Sequence, residues 1–319
     1  MRENEFQATG VIPACLMPFD ADLEIDESAY RRHLRDLAGV DGVSAIAVNG
    51  HAAEVHALTN DEQKRSLEIA YDEIGTGTSL VAGISTTSCR DAARLAKMAT
   101  AAGASALLVF PSEVLSFGGQ LCPKMALAHV SSIAEASALP LILFQYPLAG
   151  GLGYPIATLR RLCIRIPTIC AIKDWCNDPP LHERHIRELH SLDRRVNVLS
   201  THSAWLLGSL AMGCDGLLSG AGSVIANLQV GLWRAVQRGD LHAAQAINDR
   251  IYPTVLAFYR APLVNMHNRM KEALVLLGRL DAAHVRPPLV KLQRHRIKRI
   301  GRLLDEAGIN PQTVYKPIA

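Results

Sequence analysis

The chain has 319 residues, 49% of them hydrophobic and 20% charged, with a formal net charge of +3. That composition excludes a disordered or fibrous protein and gives no basic excess of the kind that nucleic-acid binding requires. The length suits two ordinary domains or one α/β barrel with an added segment.

Seven cysteines (Cys15, Cys89, Cys122, Cys163, Cys170, Cys176, Cys214) stand singly, with no CxxC pair and no His/Cys cluster at zinc spacing. This argues for a reducing compartment and against a disulfide framework or a structural metal. Met1 to Phe6 has no signal-peptide apolar region, and no apolar run is long enough to cross a bilayer. A cytoplasmic protein with neither membrane nor nucleic-acid partners is therefore expected.

Short aliphatic runs recur with helical patterns between them. In chain order the predicted strands are Val11 to Met17, Val43 to Val48, Ser79 to Ala82, Ala106 to Phe110, Pro140 to Gln145, Thr168 to Lys173, Val196 to Leu199 and Gly216 to Ser219. The predicted helices are Tyr30 to Leu37 after Asp26, Lys64 to Ile74 after a capping box at Thr59 to Glu62, and Arg90 to Ala102 after Ser88. They continue with Lys124 to Ala136, Ile156 to Cys163, His185 to Leu192, Ala204 to Met212 and Val224 to Arg238. Eight alternations without a GxGxxG turn predict a TIM (β/α)8 barrel over residues 1–228, not an open dinucleotide-binding sheet. Residues 229–319 are predicted to form a C-terminal helical extension packed on the barrel, with helices at Leu241 to Tyr259, Asn268 to Leu277 and Pro288 to Ala307. Its basic run from Lys291 to Arg299 lacks interleaved aromatics and reads as a solvated helix face.

In such a barrel, chemistry sits at the C-terminal ends of the strands. Lys173 ends the sixth predicted strand, Thr168-Ile169-Cys170-Ala171-Ile172-Lys173-Asp174. Burial there disfavours the ammonium, and the neutral amine that results can condense with a substrate carbonyl. The same position also suits a lysine whose stem packs while its ammonium reaches solvent and pairs with Asp174. The second strand ends in Asn49-Gly50-His51-Ala52-Ala53-Glu54, a small-residue turn whose N–H groups at Gly50, Ala52 and Ala53 suit a carboxylate. The other strand ends bring Phe144, Gln145 and Tyr146, then His202, then Ser219 and Gly220. The turn Gly220-Ala221-Gly222-Ser223 reads either as a phosphate cradle or as a close-packed turn.

These segments resemble the dihydrodipicolinate synthase / N-acetylneuraminate lyase family. The likeness runs from Ala14-Cys15-Leu16-Met17-Pro18-Phe19 to Val285-Arg286-Pro287-Pro288-Leu289. Ile172-Lys173-Asp174 falls on the family's lysine strand, Asn49 to Glu54 on its GTTGE turn, and Gly213 to Ser219 on the segment leading into its last strand. The resemblance implies a class I aldolase or dehydratase that forms a Schiff base between Lys173 and a 2-oxo acid such as pyruvate. It also implies no metal or organic cofactor, and a homo-oligomer, dimer or tetramer.

Two departures bear on the mechanism. The family's proton-shuttling tyrosine, three residues before the proline after strand five, is here Phe144, and the threonines of the turn are His51 and Ala52. A phenyl ring cannot move protons; His51 and a displaced hydroxyl from Tyr146 are the replacement candidates, with Gln145 and His202 as substrate hydrogen-bonding groups. His56 and Glu113 are weaker candidates, and Glu54 suits a structural role in closing its turn. The expected substrate is a sugar-acid-like or aromatic 2-oxo acid. Two rival readings remain: a catalytically silent barrel that binds a 2-oxo acid, and a metal-dependent aldolase using His51, Glu54 and His202.

Overall fold

A computed structural model describes residues 6–311; the residues before Phe6, read above for a leader, and those after Pro311 lie outside it. Eight strands, β1 (Gly10–Pro13), β2 (Ala45–Val48), β3 (Ser79–Ile84), β4 (Ala106–Val109), β5 (Leu141–Gln145), β6 (Ile169–Asp174), β7 (Asn197–Ser200) and β8 (Gly216–Ser219), form one sheet in the order β1-β8-β7-β6-β5-β4-β3-β2. All the pairings are parallel. The two ends of this order meet through bridges Val11↔Val43 and Ala14↔Ala47, with Ser44 N–H bonded to Val11 O and Cys15 N–H to Ala47 O, each at 2.9 Å. The sheet is thus the predicted TIM barrel. Its strands are apolar without alternation because both faces are covered, the inner by side chains of the other strands and the outer by helices.

The helices are α1 (Glu27–Ala38), α2 (Asn60–Ile74), α3 (Cys89–Ala101), α4 (Pro123–Ala136), α5 (Ile156–Arg165), α6 (Pro179–His190), α7 (Leu206–Ala211), α8 (Gly222–Gln237), α9 (Leu241–Phe258), α10 (Met266–Leu276) and α11 (Arg294–Glu306). Their starts follow from local chemistry. Thr59 and Glu62 form the reciprocal capping box of α2, and Asp178 accepts from Leu181 N–H to cap α6, whose first positions are Pro179 and Pro180. The expected start of α6 at His185 is corrected to Pro179, six residues earlier, since a proline pair fits the first helical turn, where no N–H is needed. The expected start of the last helix at Pro288 is, by contrast, too early; α11 begins at Arg294. The basic run does face outward: Arg294, His295, Arg296, Lys298 and Arg299 are exposed while Ile300 is buried. The division expected after residue 228 falls inside α8. No helix of the described residues is long and apolar enough to cross a membrane.

The extension is fastened over the β2–α2 loop by buried charges. Lys271 of α10 pairs with Glu54 at 2.5 Å, both side chains fully buried, and its ammonium donates to His284 O at 2.8 Å. Arg286 pairs with Glu62 and donates to the carbonyls of Leu23 and Ala57, each at 2.8 Å. Glu54 also accepts the Arg286 N–H at 3.4 Å. It therefore has a structural role, but its partners lie in the extension and not in its own turn. Burial pulls the Lys271 ammonium down to about 8 against the opposing pull of Glu54. Glu54→Gln would leave that ammonium without its counter-charge, and a loss of about 3–5 kcal/mol is expected, read as a lowered midpoint of urea unfolding.

Candidate active site

Two strand ends set the centre of the site. Phe144 of β5 and Lys173 of β6 are register partners, so both point into the barrel and lie side by side. The Lys173 nitrogen sits 4.2 Å from the Phe144 ring centroid, and the residue is 4% exposed. Desolvation lowers its pKa from 10.5 to about 7. Strand alternation sends Asp174 the other way, toward α6, where its Oδ2 meets His182 Nδ1 and His185 Nδ1, each at 2.8 Å. The Cys176 N–H donates to its Oδ1 at 2.9 Å. Burial works against this carboxylate, yet the two imidazoles hold it well below the usual carboxylate range. The solvent-reaching Lys173–Asp174 pair admitted by the sequence is thereby overturned, because adjacent strand residues face opposite sides.

The β2 turn brings the second group. Asn49 is held at φ 52°, its amide donating to Gln63 O at 2.8 Å and accepting from Ser66 Oγ at 2.5 Å. The turn leans so closely on β3 that a Cβ at Gly83 would stand 1.9 Å from Asn49 O, and only glycine leaves room for it. From there His51 enters the barrel mouth among Phe110, Phe144 and Tyr146, at ring-centroid distances of 5.1, 5.5 and 5.7 Å. His51 Nε2 and the Tyr146 hydroxyl share a hydrogen bond of 2.7 Å. The structure thus joins the two residues named separately as replacements for the relay. Burial, reinforced by the Lys173 charge, pulls His51 down to about 3, and burial raises the Tyr146 phenol. At neutral pH both are uncharged.

A cavity of about 220 Å³ opens at this mouth, lined by Lys173, His51, Ala52, Phe144, His202 and Gly220 among the residues expected from the sequence. His202 has committed its ring: Nδ1 meets Ser200 Oγ and Nε2 accepts the Asn177 N–H, both at 3.2 Å. Gln145, Tyr146, Ser219, Gly50 and Ala53 are not in the wall; Tyr146 stands behind it, joined to the lining through its hydrogen bond to His51. Gln145 points out of the barrel, giving its amide to Tyr154 O and accepting Tyr154 N–H at 3.0 Å each, which corrects its expected place beside substrate. Ser219 accepts from Gln229 Nε2 at 3.1 Å, and the Ala53 N–H closes its own turn on Gly50 O at 3.1 Å. His56 and Glu113 are exposed. The glycine turn after β8 is close-packed: a Cβ on Gly222 would meet Pro13 Cα at 3.0 Å.

The rest of the wall was not found from sequence. Trp175 and Trp205 follow strands six and seven, while Tyr259, Leu263, Met266, His267 and Met270 come from the end of α9, the following turn and α10. No local pattern marks α10 as a lid on the barrel; its approach is fixed by the buried Lys271–Glu54 pair. The Asp174 network did leave a trace, since His182 and His185 are three residues apart and so share a helix face.

Glu54 is held by Lys271, so the donor set His51, Glu54 and His202 does not assemble. Among the described residues, donors close enough to share an ion are Asp174, Cys176, His182 and His202, within 4.8 Å of one another. These donors are hydrogen-bonded in the network around Asp174 and His202.

Comparison with known proteins agrees with this geometry. Residues 7–307 match the Dihydrodipicolinate synthetase family. A 4-hydroxy-tetrahydrodipicolinate synthase of Methanopyrus kandleri is 29% identical, over 96% of this chain and 99% of that protein. An uncharacterized DapA-like lyase of Halobacterium salinarum is 30% identical over 88% of each. Among solved structures, the Escherichia coli K12 prophage protein YagE, of the dihydrodipicolinic acid synthase family and in complex with pyruvate, superposes with a TM-score of 0.84 at 25% identity, covering 95% of this chain and 99% of that one.

Proposed function

Since the chain belongs to the dihydrodipicolinate synthetase family, we propose that it is a lyase acting on a 2-oxo acid through a Schiff base on Lys173. The observation that carries this reading is a lysine brought to about 7 by desolvation alone at the floor of the barrel-mouth cavity. Near neutral pH about half of such a side chain is the free amine, against about one part in several thousand for a solvated lysine.

The reaction follows from the groups present. The amine adds to the C2 ketone and water leaves, giving an iminium. The carboxylate lies against the His51 and Ala52 N–H groups at the head of the β2 turn. As the C3–C4 bond breaks, the C4 hydroxyl proton passes to Tyr146 while the phenol gives its own proton to His51 Nε2 along their shared hydrogen bond. The C3–C4 electron pair enters the iminium, leaving an enamine. Protonation at C3 and hydrolysis release the oxo acid and restore Lys173. The same iminium acidifies C3–H: loss of that proton to the His51–Tyr146 pair gives an enamine that expels the C4 hydroxyl, which leaves as water on receiving the proton back, so dehydration uses the same residues. The hydroxyl missing at Phe144 is supplied from two residues further on, just past the end of β5, and the neutral ring left behind forms an apolar bed for the amine.

Trapping with pyruvate and borohydride tests this reading. One reduced pyruvyl group is expected on the Lys173 peptide. Below the amine's pKa the unreactive ammonium dominates, so the initial trapping rate should fall about tenfold per pH unit below 7 and level off above 8. Absence of an adduct, or a rate still climbing toward pH 10, would overturn the reading. An adduct without turnover of any 4-hydroxy-2-oxo acid would favour the silent barrel.

A further inference from the structure

Beyond Lys173, the cavity wall has a distinct chemistry. Among its lining residues there is no arginine, aspartate or glutamate and no second lysine. Its three histidines are uncharged at neutral pH: burial, aided by nearby charge, lowers His51 and His267 to about 3, and burial outweighs Asp174 in lowering His202 to about 4. The wall shared with the amine includes the broad surfaces of Trp175, Trp205 and Tyr259 and the thioethers of Met266 and Met270. Trp205 is already stacked on His202 at 4.1 Å, which fixes its plane. His267, 5% exposed, has neither ring nitrogen hydrogen-bonded, so it offers one neutral donor and one acceptor, beside the uncharged polar side chains of Asn177, Thr201 and Ser203.

We infer that the substrate is a 2-oxo acid whose C4 substituent is an uncharged aryl group, so that the aldehyde released on cleavage is aromatic. This rests on the Schiff-base reading above and extends it to the other half of the molecule. A second carboxylate or a phosphate would enter a desolvated pocket with no cation to meet it, a heavy penalty. An aryl ring instead finds aromatic faces for offset or edge contacts and polarisable sulfur around it. The cavity, about 220 Å³, is below the roughly 300–1,000 Å³ of pockets that take drug-sized ligands, which limits the substituent to a single ring. His267 meets one neutral oxygen on it. Atoms balance as a 4-aryl-4-hydroxy-2-oxobutanoate giving an aryl aldehyde and pyruvate, with the C4 hydroxyl proton entering the Tyr146–His51 pair and a proton returned from that pair to C3.

The test uses borohydride trapping on the whole protein with three probes: pyruvate, 2-oxoglutarate and 4-phenyl-2-oxobutanoate. The phenyl probe is expected to reach half-maximal labelling of Lys173 at a concentration at least roughly tenfold below pyruvate, and 2-oxoglutarate at one well above it. Leu263→Arg, which places a cation on the partly exposed rim, is expected to narrow or reverse the order of the two substituted acids. Equal labelling by all three probes, or preference for 2-oxoglutarate in the unaltered protein, would overturn the aryl assignment while leaving Schiff-base formation intact. Failure of all three to label Lys173 would overturn the underlying reading instead.

Discussion

Lys173→Met is expected to remove both pyruvate trapping and lyase turnover to background while making the protein more stable. The two effects share one cause. Lys173 titrates near 7 in the folded chain against an ordinary 10.5, so its folded pKa is depressed. The stability it permits is fully present above the ordinary value, is lost as pH falls from about 10.5 toward 7, and stays lost below. Near neutral pH the folded state therefore loses a few kcal/mol by excluding a proton that the unfolded chain binds. Methionine has nearly the same length and no charge, so it avoids this loss. Urea unfolding at pH 7 and pH 10 checks the account: the variant should exceed the parent at pH 7, and the gap should shrink at pH 10. A less stable variant would mean that the lysine is held by favourable interactions that its burial does not reveal.

Tyr146→Phe is expected to lower turnover by about 10²–10⁴-fold while Lys173 still forms its pyruvyl adduct. The change removes one hydroxyl, keeps the ring that packs against Phe144 at 4.4 Å and Trp175 at 5.7 Å, and leaves His51 Nε2 without its 2.7 Å partner. Addition of the amine to pyruvate does not require breaking C3–C4, so trapping and turnover should separate. Comparing single-turnover cleavage with adduct formation reads that separation directly. If turnover survives in Tyr146→Phe, the proton moves by another route and the His51–Tyr146 bond serves only packing.

Much of the barrel could be read locally because its strands are covered on both faces and must be continuous apolar runs. Gly216 to Ser219 coincides with its predicted limits, and the capping box at Thr59 and Glu62 marks the start of α2 through two hydrogen bonds that the sequence itself specifies. Boundaries failed where local chemistry was ambiguous. The helix predicted from His185 begins six residues earlier, with Pro179 and Pro180 in the first turn of α6, and Val11 to Met17 overran β1 because the chain remains buried after leaving the sheet.

The site divides in the same way. Lys173, His51 and Tyr146 were legible because strand ends and alternation place them at the mouth without knowledge of any distant contact. Gln145 was misplaced because its polarity outweighed its alternation: the residue between Phe144 and Tyr146 must face outward. Tyr259, Met266, His267 and Met270 could not be found, since their approach depends on α10 being drawn over the β2 turn by Glu54 and Arg286. A partner more than two hundred residues away leaves no periodic trace near either residue.

The structure of the protein soaked with pyruvate tests the central claim most directly. Continuous density is expected from Nζ of Lys173 to C2 of the ligand, with the carboxylate against the His51 and Ala52 N–H groups and the methyl carbon facing the Tyr146 hydroxyl. Pyruvate lying unbonded in the cavity, or attached to any other amine, would contradict it.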